Sequence, residues 1–185
     1  MPFRRLPTGV CPSWLSTICD IALNAPTGND EYPATFIATG ARRTMFEDGD
    51  IDLSATALRE SYEEIGLENK DVRVIGSLDT LVSRFDISVT PYVGIIQNDV
   101  VLKSDSEEIE ALFKVPLSFL VKDIRLRNDP VKREKKTFYV PAYEYDSYVI
   151  WGLTAMITVN FLNLTVDAGI DLSKPVKPFG ELNDL

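Results

Sequence analysis

The chain has 185 residues, of which 45% are hydrophobic, 25% charged and 10% aromatic, so it is long enough and apolar enough for one folded domain. This composition excludes a long disordered chain, and the lack of about 20 consecutive uncharged apolar residues argues against a membrane protein. A net charge of −9 argues against a nucleic-acid surface and suits divalent cations, while the absence of His and the presence of only Cys11 and Cys19 make a zinc site or a disulfide framework unexpected.

Residues 1–46 are predicted to form an atypical, poorly specified lead-in. They hold four Arg, no Lys and three acidic residues, a net charge of +1, so the rest of the chain must carry −10 to reach the total of −9. Short strands are predicted at Thr17–Leu23 and Ala34–Ala38, whereas Pro and Gly interrupt the remaining pattern. No signal peptide is expected, because the basic pair near the start is followed by proline and glycine rather than by an unbroken apolar run.

The patterning becomes regular from residue 47, and residues 47–167 are predicted to form one domain, followed by a tail at 168–185. The first element of the domain is a helix from about Leu53 to about Ile65, because good helix formers follow an acidic loop. The candidates for its N-cap are Asp50, Asp52 and Ser54. Gly66 is the candidate for the C′ residue that ends it.

The helical period separates two faces of this helix. The apolar stripe, which is expected to face the core, contains Ala55, Leu58, Tyr62 and Ile65. The opposite face carries Glu60, Glu63 and Glu64, which repel one another at i+3 and i+4 spacings, and Arg59 relieves this repulsion by pairing with Glu63. A divalent cation would relieve it further, since Mg²⁺ takes hard oxygen ligands. The alternative is a solvated acidic face on an amphipathic helix.

Downstream, the pattern alternates as an antiparallel α/β domain should. Strands are predicted at Val72–Leu78, Ile87–Ile96, Thr137–Tyr145 and Tyr148–Trp151. Pro91 indicates an edge strand or a bulge, and Asp146-Ser147 indicates the turn of a hairpin. Gly152–Leu164 is predicted to be a helix, and its apolar residues on more than one face indicate substantial burial.

The order Arg59-Glu60-Ser61-Tyr62-Glu63-Glu64-Ile65-Gly66-Leu67 resembles the second half of the Nudix box of the Nudix hydrolases, which split a diphosphate linked to a second moiety. The resemblance implies an α/β fold, an α/β/α sandwich with a mixed, largely antiparallel sheet. It also implies metal-assisted hydrolysis, in which bound ions activate a water molecule and stabilise the developing charge. In this role Glu60, Glu63 and Glu64 would bind Mg²⁺ or Mn²⁺, and Arg59 and Glu63 would be catalytic, with Arg59 orienting a carboxylate.

Further segments resemble the coenzyme A pyrophosphatase branch of this family, namely Thr56–Glu60, Val89–Gly94, Glu108-Ile109, Phe113–Leu117 and Ile150–Ala155. The branch implies that coenzyme A or a thioester of it is cleaved to 4′-phosphopantetheine and adenosine 3′,5′-bisphosphate. The partner is then a small molecule, and neither nucleic acid nor a membrane is expected. The alternatives are another nucleoside diphosphate-linked substrate, such as ADP-ribose or a dinucleoside polyphosphate, and a non-catalytic binding protein of the same fold.

Three features outside the helix are candidate parts of the site. Glu108 matches a further acidic residue of many Nudix enzymes, which implies a catalytic role as metal ligand or general base; Glu107 and Glu110 compete for this role, and an exposed acidic loop would explain all three. The basic cluster Lys132–Lys136 either attracts the 3′-phosphate of coenzyme A or is a solvated loop. Trp151 either contacts substrate or anchors the start of the following helix in the core.

The first half of the box departs from the family pattern. That pattern has a glycine and a glutamate at the positions of Met45 and Ile51. The coenzyme A branch also normally has a strand that ends in Phe-Pro-Gly-Gly, whereas Phe36–Arg43 shares only Gly40 and the basic pair with that branch. Three explanations are open: divergence of the lead-in, its origin in a different exon or reading frame, and a non-catalytic relative that retains the fold for binding.

Overall fold

The computed structural model describes residues 22–25, 34–42, 45–83, 85–96, 100–103, 112–133 and 136–175. Within these residues, the larger sheet consists of β1 (Ala22–Ala25), β2 (Ala34–Arg42), β3 (Val72–Ser77), β4 (Leu81–Val82), β5 (Ser88–Ile96) and β6 (Lys114–Pro116). A smaller sheet consists of β7 (Arg127–Arg133), β8 (Lys136–Tyr145) and β9 (Tyr148–Ile150). The helices are α1 (Leu53–Ile65), α2 (Leu117–Leu120) and α3 (Gly152–Val166), and a 3₁₀ turn at Asn69–Asp71 precedes β3.

The larger sheet is mixed, with the strand order β3-β5-β2-β1-β6 and with β4 also paired to β5. The β1–β6 pairing is parallel, and the other pairings in this sheet are antiparallel. Two strands that precede residue 47 therefore lie in the same sheet as the strands that follow it. The predicted strand at Ala34–Ala38 is confirmed and continues to Arg42, whereas residues 17–21 of the other predicted strand lie outside the described residues.

Pro91 lies in an interior strand, so the prediction of an edge strand there is wrong. The pairing of β3 with β5 does contain a register shift, between Val74 and Gly76, but this shift lies opposite Gly94 and Val93 rather than at Pro91. Strand β5 pairs with β2 on one side, without a register shift at Pro91, and with β3 and β4 on the other. The Pro91 carbonyl accepts a hydrogen bond of 2.8 Å from the backbone N–H of Leu78, so the position of the missing proline N–H faces the same side. On that side of β5, residue 91 lies opposite the segment that connects β3 to β4, which is not paired to β5. The proline therefore removes no hydrogen bond of the sheet.

The larger sheet is covered on both faces. The main hydrophobic cluster joins Val93 of β5 to residues of α2, the smaller sheet and α3. A second cluster joins Ile65, at the end of α1, to Leu67 and Ile96. Because Val93 and Ile96 are separated by an odd number of positions on one strand, their side chains point to opposite faces. The layers are therefore α1, the sheet, and α3 with the smaller sheet, which is the α/β/α arrangement predicted from the sequence.

The predicted hairpin and the last predicted helix are both confirmed. Strands β8 and β9 pair around Asp146 and Ser147, which have φ angles of 48° and 67°. A two-residue turn with two positive φ angles matches the right-handed twist of the flanking strands. Helix α3 runs two residues past its predicted end and buries residues on several sides. Among the helices in the described ranges, none is long and apolar enough to cross a bilayer.

Helix α1 has the predicted bounds and the predicted end signals. Asp52 is the N-cap, and its carboxylate accepts a hydrogen bond of 2.9 Å from the backbone N–H of Ala55. Gly66 follows the last turn with φ at 66°, and its N–H donates to the carbonyl of Tyr62 at 3.0 Å. This left-handed residue closes the helix because it satisfies a carbonyl of the last turn.

Gly66→Ala is expected to lower the free energy of unfolding by about 1–2 kcal/mol, because a residue with a Cβ is strained at a left-handed φ. Steric crowding does not contribute to this loss, since the nearest atom to an added Cβ is the carbonyl oxygen of Lys103 at 3.8 Å. Gly76→Ala is the matched control, because Gly76 has no positive φ and nothing lies within 4 Å of its added Cβ. Chemical denaturation of both variants provides the measurement, and equal losses would contradict the conformational explanation.

Candidate active site

The buried face of α1 differs from the predicted face. Tyr62, which was expected to face the core, is 58% exposed. The buried residues of the helix are Thr56, Ala57, Glu60, Ser61, Glu64 and Ile65. The buried stripe is thus rotated by roughly a third of a turn from the prediction. Ala57 and Ser61 line one small cavity together with Gly94 of β5, so this face of the helix lies against the sheet.

This rotation changes the environment of the three helical glutamates. Glu60 and Glu64 are buried, with exposed fractions of 4% and 7%, so the interpretation of the whole acidic face as solvated is wrong for these two. The side chain of Glu63 is 53% exposed. A prediction from periodicity places carboxylates on the exposed face because burying a charge costs free energy. Such a prediction does not take account of partner groups that offset this cost.

Arg59 is the centre of the polar contacts around these glutamates. Its Nη1 donates to Oε1 of Glu60 at 2.8 Å and to Oε2 of Glu63 at 3.1 Å, so one nitrogen joins the two carboxylates. The predicted pairing of Arg59 with Glu63 is therefore confirmed. Its Nη2 donates to the carbonyl oxygen of Met45 at 2.6 Å, and a longer ion pair of 3.6 Å connects Nη1 to Glu47. The guanidinium thus links the helix to the loop that precedes it.

Asp50 is the residue of this network that the sequence suggested only as a helix cap. Its carboxylate is 6% exposed and accepts hydrogen bonds from Nε of Arg59 at 3.3 Å and from Nη2 at 3.2 Å. It also accepts from the hydroxyl of Thr56 at 2.9 Å and from the backbone N–H of Glu47 at 3.1 Å. The Arg59 guanidinium, followed by the Glu47 N–H, holds the pKa of Asp50 below its usual value, and Asp50 in turn raises the pKa of Arg59.

The donor set on α1 suits a divalent metal by its chemistry. Carboxylate oxygens are the ligands that Mg²⁺ and Mn²⁺ prefer. Arg59 donates a hydrogen bond to Oε1 of Glu60 and another to Oε2 of Glu63, and Glu64 is buried one residue further along the helix. In the part of the chain that the structure describes, however, no group of three or more His, Cys, Asp or Glu side chains is already gathered as a metal site. A cation would have to draw these like charges together.

The other predicted charged positions lie outside α1 in the sequence, and the structure describes only some of them. Glu108 lies outside the described residues, as do its competitors Glu107 and Glu110. Lys132 and Lys136 are exposed at the end of the hairpin formed by β7 and β8, whose last paired residues are Arg133 and Lys136. The described residues of the basic cluster therefore belong to the smaller sheet.

Trp151 does not anchor α3 in the core. It occupies the N-cap position of α3, but its side chain is 53% exposed, so that interpretation is wrong. The guanidinium carbon of Arg127 lies over the indole ring, 6.0 Å from its centroid, which is cation–π distance. Three residues earlier, at the start of β9, Tyr148 stacks on Phe113 with ring centroids 4.5 Å apart. Trp151 thus presents exposed aromatic surface just after the other end of β9.

Comparison with known proteins identifies the family of this chain. Residues 42–134 match the model of the NUDIX domain, a range that begins at the end of β2 and includes α1, the intervening strands of the larger sheet and all of β7. The chain belongs to the Nudix family. Both the family and the α/β sandwich fold predicted from the sequence are confirmed.

Several curated relatives carry Nudix hydrolase names. The chain is 37% identical over 108 residues to an uncharacterized Nudix hydrolase NudL of Photorhabdus laumondii, which covers 58% of each protein. It is 34% identical over 157 residues to an uncharacterized Nudix hydrolase NudL of Escherichia coli, which covers 85% of this chain and 76% of the relative. It is 32% identical over 127 residues to the protein named Nudix hydrolase 15, mitochondrial, of Arabidopsis thaliana, which covers 65% of this chain and 45% of the relative. The chain therefore spans little more than half the length of the Photorhabdus relative.

Proposed function

We propose that this chain is a metal-dependent diphosphatase that cleaves coenzyme A or its thioesters, with Glu60, Glu63 and Glu64 as ligands of Mg²⁺ or Mn²⁺. The observation that supports diphosphate hydrolysis most directly is the single Nη1 of Arg59, which joins Glu60 and Glu63 on one helix. The substrate assignment depends on the segments that resemble the coenzyme A branch, above all Ile150–Ala155. Glu108 remains a proposed further ligand or general base.

The residues of α1 divide the work of such a site. Hydrolysis forms a bond between a water oxygen and one phosphorus of the diphosphate and breaks the bond from that phosphorus to the bridging oxygen. A bound Mg²⁺ or Mn²⁺ supplies charge neutralisation at the phosphate oxygens and lowers the pKa of water. Glu60 and Glu64 are buried and therefore held in place by packing, whereas Glu63 is half-exposed and accessible to a substrate from solvent. Arg59 keeps the carboxylates of Glu60 and Glu63 together.

The region around Trp151, just after β9, supports a substrate with both a planar and an anionic part. Trp151 offers a half-exposed aromatic face, and the Arg127 guanidinium lies 6.0 Å from its centroid. An aromatic ring can stack on a base, and a guanidinium can bind a phosphate in two-pronged fashion. Coenzyme A carries adenine and a 3′-phosphate on the same ribose, which fits this combination.

Incubation of the purified protein with coenzyme A and Mg²⁺ or Mn²⁺ is expected to yield 4′-phosphopantetheine and adenosine 3′,5′-bisphosphate, identified by mass spectrometry. EDTA is expected to stop the reaction, because the carboxylates alone supply no positive charge to the diphosphate. ADP-ribose and a dinucleoside polyphosphate complete the panel. Cleavage of these compounds without cleavage of coenzyme A would overturn the substrate assignment, and no cleavage at all would favour the non-catalytic binding protein.

A further inference from the structure

Where the Nudix pattern has glutamate, this chain has Ile51, and the residue before it is an aspartate whose side chain is buried. Ile51 occupies the position at which the pattern has glutamate, and its residue surface is 90% exposed. The neighbouring Asp50 is turned inward, and its carboxylate is only 6% exposed. The acidic side chain absent at position 51 is thus present one residue earlier, and the chain directs it toward Arg59.

The contacts of Asp50 determine the orientation of Arg59. Arginine is planar and has five N–H donors, and here these make five hydrogen bonds. Asp50 binds the edge formed by Nε and Nη2 with both of its oxygens. Once this edge is held, the plane is defined, and with it the direction in which Nη1 points toward Glu60 and Glu63.

Asp50 is also held in place by groups other than Arg59. Its Oδ2 accepts from the backbone N–H of Glu47 and from the hydroxyl of Thr56, the one in the preceding loop and the other in the first turn of α1. The Asp50 backbone N–H also donates to the carbonyl of Glu47 at 2.9 Å, which closes a turn. A carboxylate with these supports can orient a guanidinium at little further entropic cost.

We propose that Asp50 is a positioning residue of the active site, which acts through Arg59 to hold Glu60 and Glu63 in the arrangement that binds the metal. The role rests on the proposed metal-dependent function. Asp50 touches neither substrate nor metal in this role. Its effect reaches the reaction only through the guanidinium.

Mn²⁺ binding by the full chain, measured by electron paramagnetic resonance of the free ion, tests this role without reference to activity. Asp50→Asn is expected to weaken Mn²⁺ binding and to lower kcat by about 10–100-fold, the usual effect of removing a partner that orients a ligand. KM for coenzyme A is expected to change by no more than about twofold, since Asp50 does not contact substrate. Asp50→Glu retains the carboxylate and is expected to recover part of the affinity.

Two controls separate positioning from loop stability. Asp48→Asn removes an exposed carboxylate from the same loop and is expected to bind Mn²⁺ as the wild type does. Thr56→Val removes one support of Asp50 but leaves its contact with Arg59, so it is expected to lower the unfolding temperature more than the Mn²⁺ affinity. A loss of affinity in Thr56→Val equal to that in Asp50→Asn would overturn the positioning role.

A second variant retains the test if Asp50→Asn does not fold. Arg59→Lys breaks the same contact from the other side, because an ammonium cannot present the two-pronged edge. It is expected to show a comparable loss of Mn²⁺ affinity, and Asp50→Asn added to it is expected to cause little further loss, since both act on one contact. Additive losses, or unchanged affinity in Arg59→Lys, would overturn the proposal.

The outcomes distinguish this proposal from the proposed function. A wild type that binds Mn²⁺ but does not cleave coenzyme A overturns the substrate assignment alone. Unchanged Mn²⁺ affinity in folded Asp50→Asn overturns the role of Asp50 alone. A wild type that binds no Mn²⁺ overturns both.

Discussion

Glu63→Gln is expected to lower kcat for diphosphate hydrolysis by about 100-fold or more, because even the loss of a group that only supports a metal ligand costs about 10–100-fold in metal affinity or activity. Glutamine has nearly the same shape but no negative charge, so it is a poor ligand for a hard cation. The side chain of Glu63 is 53% exposed and loses little packing on replacement. The variant is therefore expected to remain folded, which makes Glu63 a cleaner test of the chemistry than the buried Glu60 or Glu64.

Glu68→Gln is the matched control for this experiment. Glu68 lies just after the end of α1, its side chain is 52% exposed, and it pairs with Lys70 at 2.6 Å. The substitution Glu68→Gln removes the same negative charge as Glu63→Gln, five residues further along the chain. Steady-state kinetics of both variants provide the measurement, with circular dichroism to establish folding. Equal kcat for Glu63→Gln and the wild type would contradict the assignment of Glu63.

Arg125→Met is expected to lower the free energy of unfolding by about 3 kcal/mol, because it removes the buried partner of an ion pair and leaves the charge of Asp123, whose side chain is 23% exposed, without its guanidinium. The Arg125 side chain is 1% exposed, and its Nε and Nη2 each donate to one oxygen of Asp123 at 2.8 Å. Its Nη1 donates to the Asn128 side chain at 2.9 Å. For a chain of this length, such a loss corresponds to a fall in Tm of roughly 6–12 °C.

Tyr143 completes this buried network. Its hydroxyl donates to Oδ1 of Asp123 at 2.8 Å, and its side chain belongs to the main core. Burial, followed by the charge of Asp123, raises the pKa of the Tyr143 phenol, so the phenol stays protonated and remains a donor over the neutral range. Loss of Arg125 would thus leave Asp123 with a neutral partner only.

Arg127→Met is the matched control for this loss. Arg127 lies two residues away on β7, and its side chain is 46% exposed in its ion pair with Asp129. Exposed pairs of this kind contribute about 0–1 kcal/mol. The double variant Asp123→Asn/Arg125→Met removes both charges and is expected to be more stable than Arg125→Met alone. Thermal unfolding of the three proteins decides, and equal losses at Arg125 and Arg127 would contradict the role of burial.

Local signals in the sequence predicted several elements to within one or two residues. The bounds of α1 follow from Asp52 at its start and Gly66 at its end, and both signals act on backbone groups of the same helical turn. The turn at Asp146 and Ser147 and the extent of α3 are local in the same sense. The spacing of Arg59 and Glu63 also predicts their contact, since residues four apart on a helix are neighbours.

Interactions between elements decided what the local signals did not. The apolar stripe of α1 predicted Tyr62 inside and Glu60 outside, and the structure reverses both. The buried face of the helix includes Ala57 and Ser61, whose short side chains carry little weight in an apolar pattern, and both line a cavity with residues of the sheet. The position of Pro91 in an interior strand likewise depends on where a neighbouring strand is interrupted.

The sequence by itself therefore determined the family, the helical motif with its glutamates, and the local starts and ends of its elements, because these depend on residues within a few positions of one another. Only the tertiary structure decided that Glu60 and Glu64 are buried and that Asp50 holds Arg59 from nine residues away. The physical reason is that burial of a charge is tolerated only where partners offset its loss of hydration. Those partners are brought together by the packing of the loop and helix, and no short-range pattern encodes them.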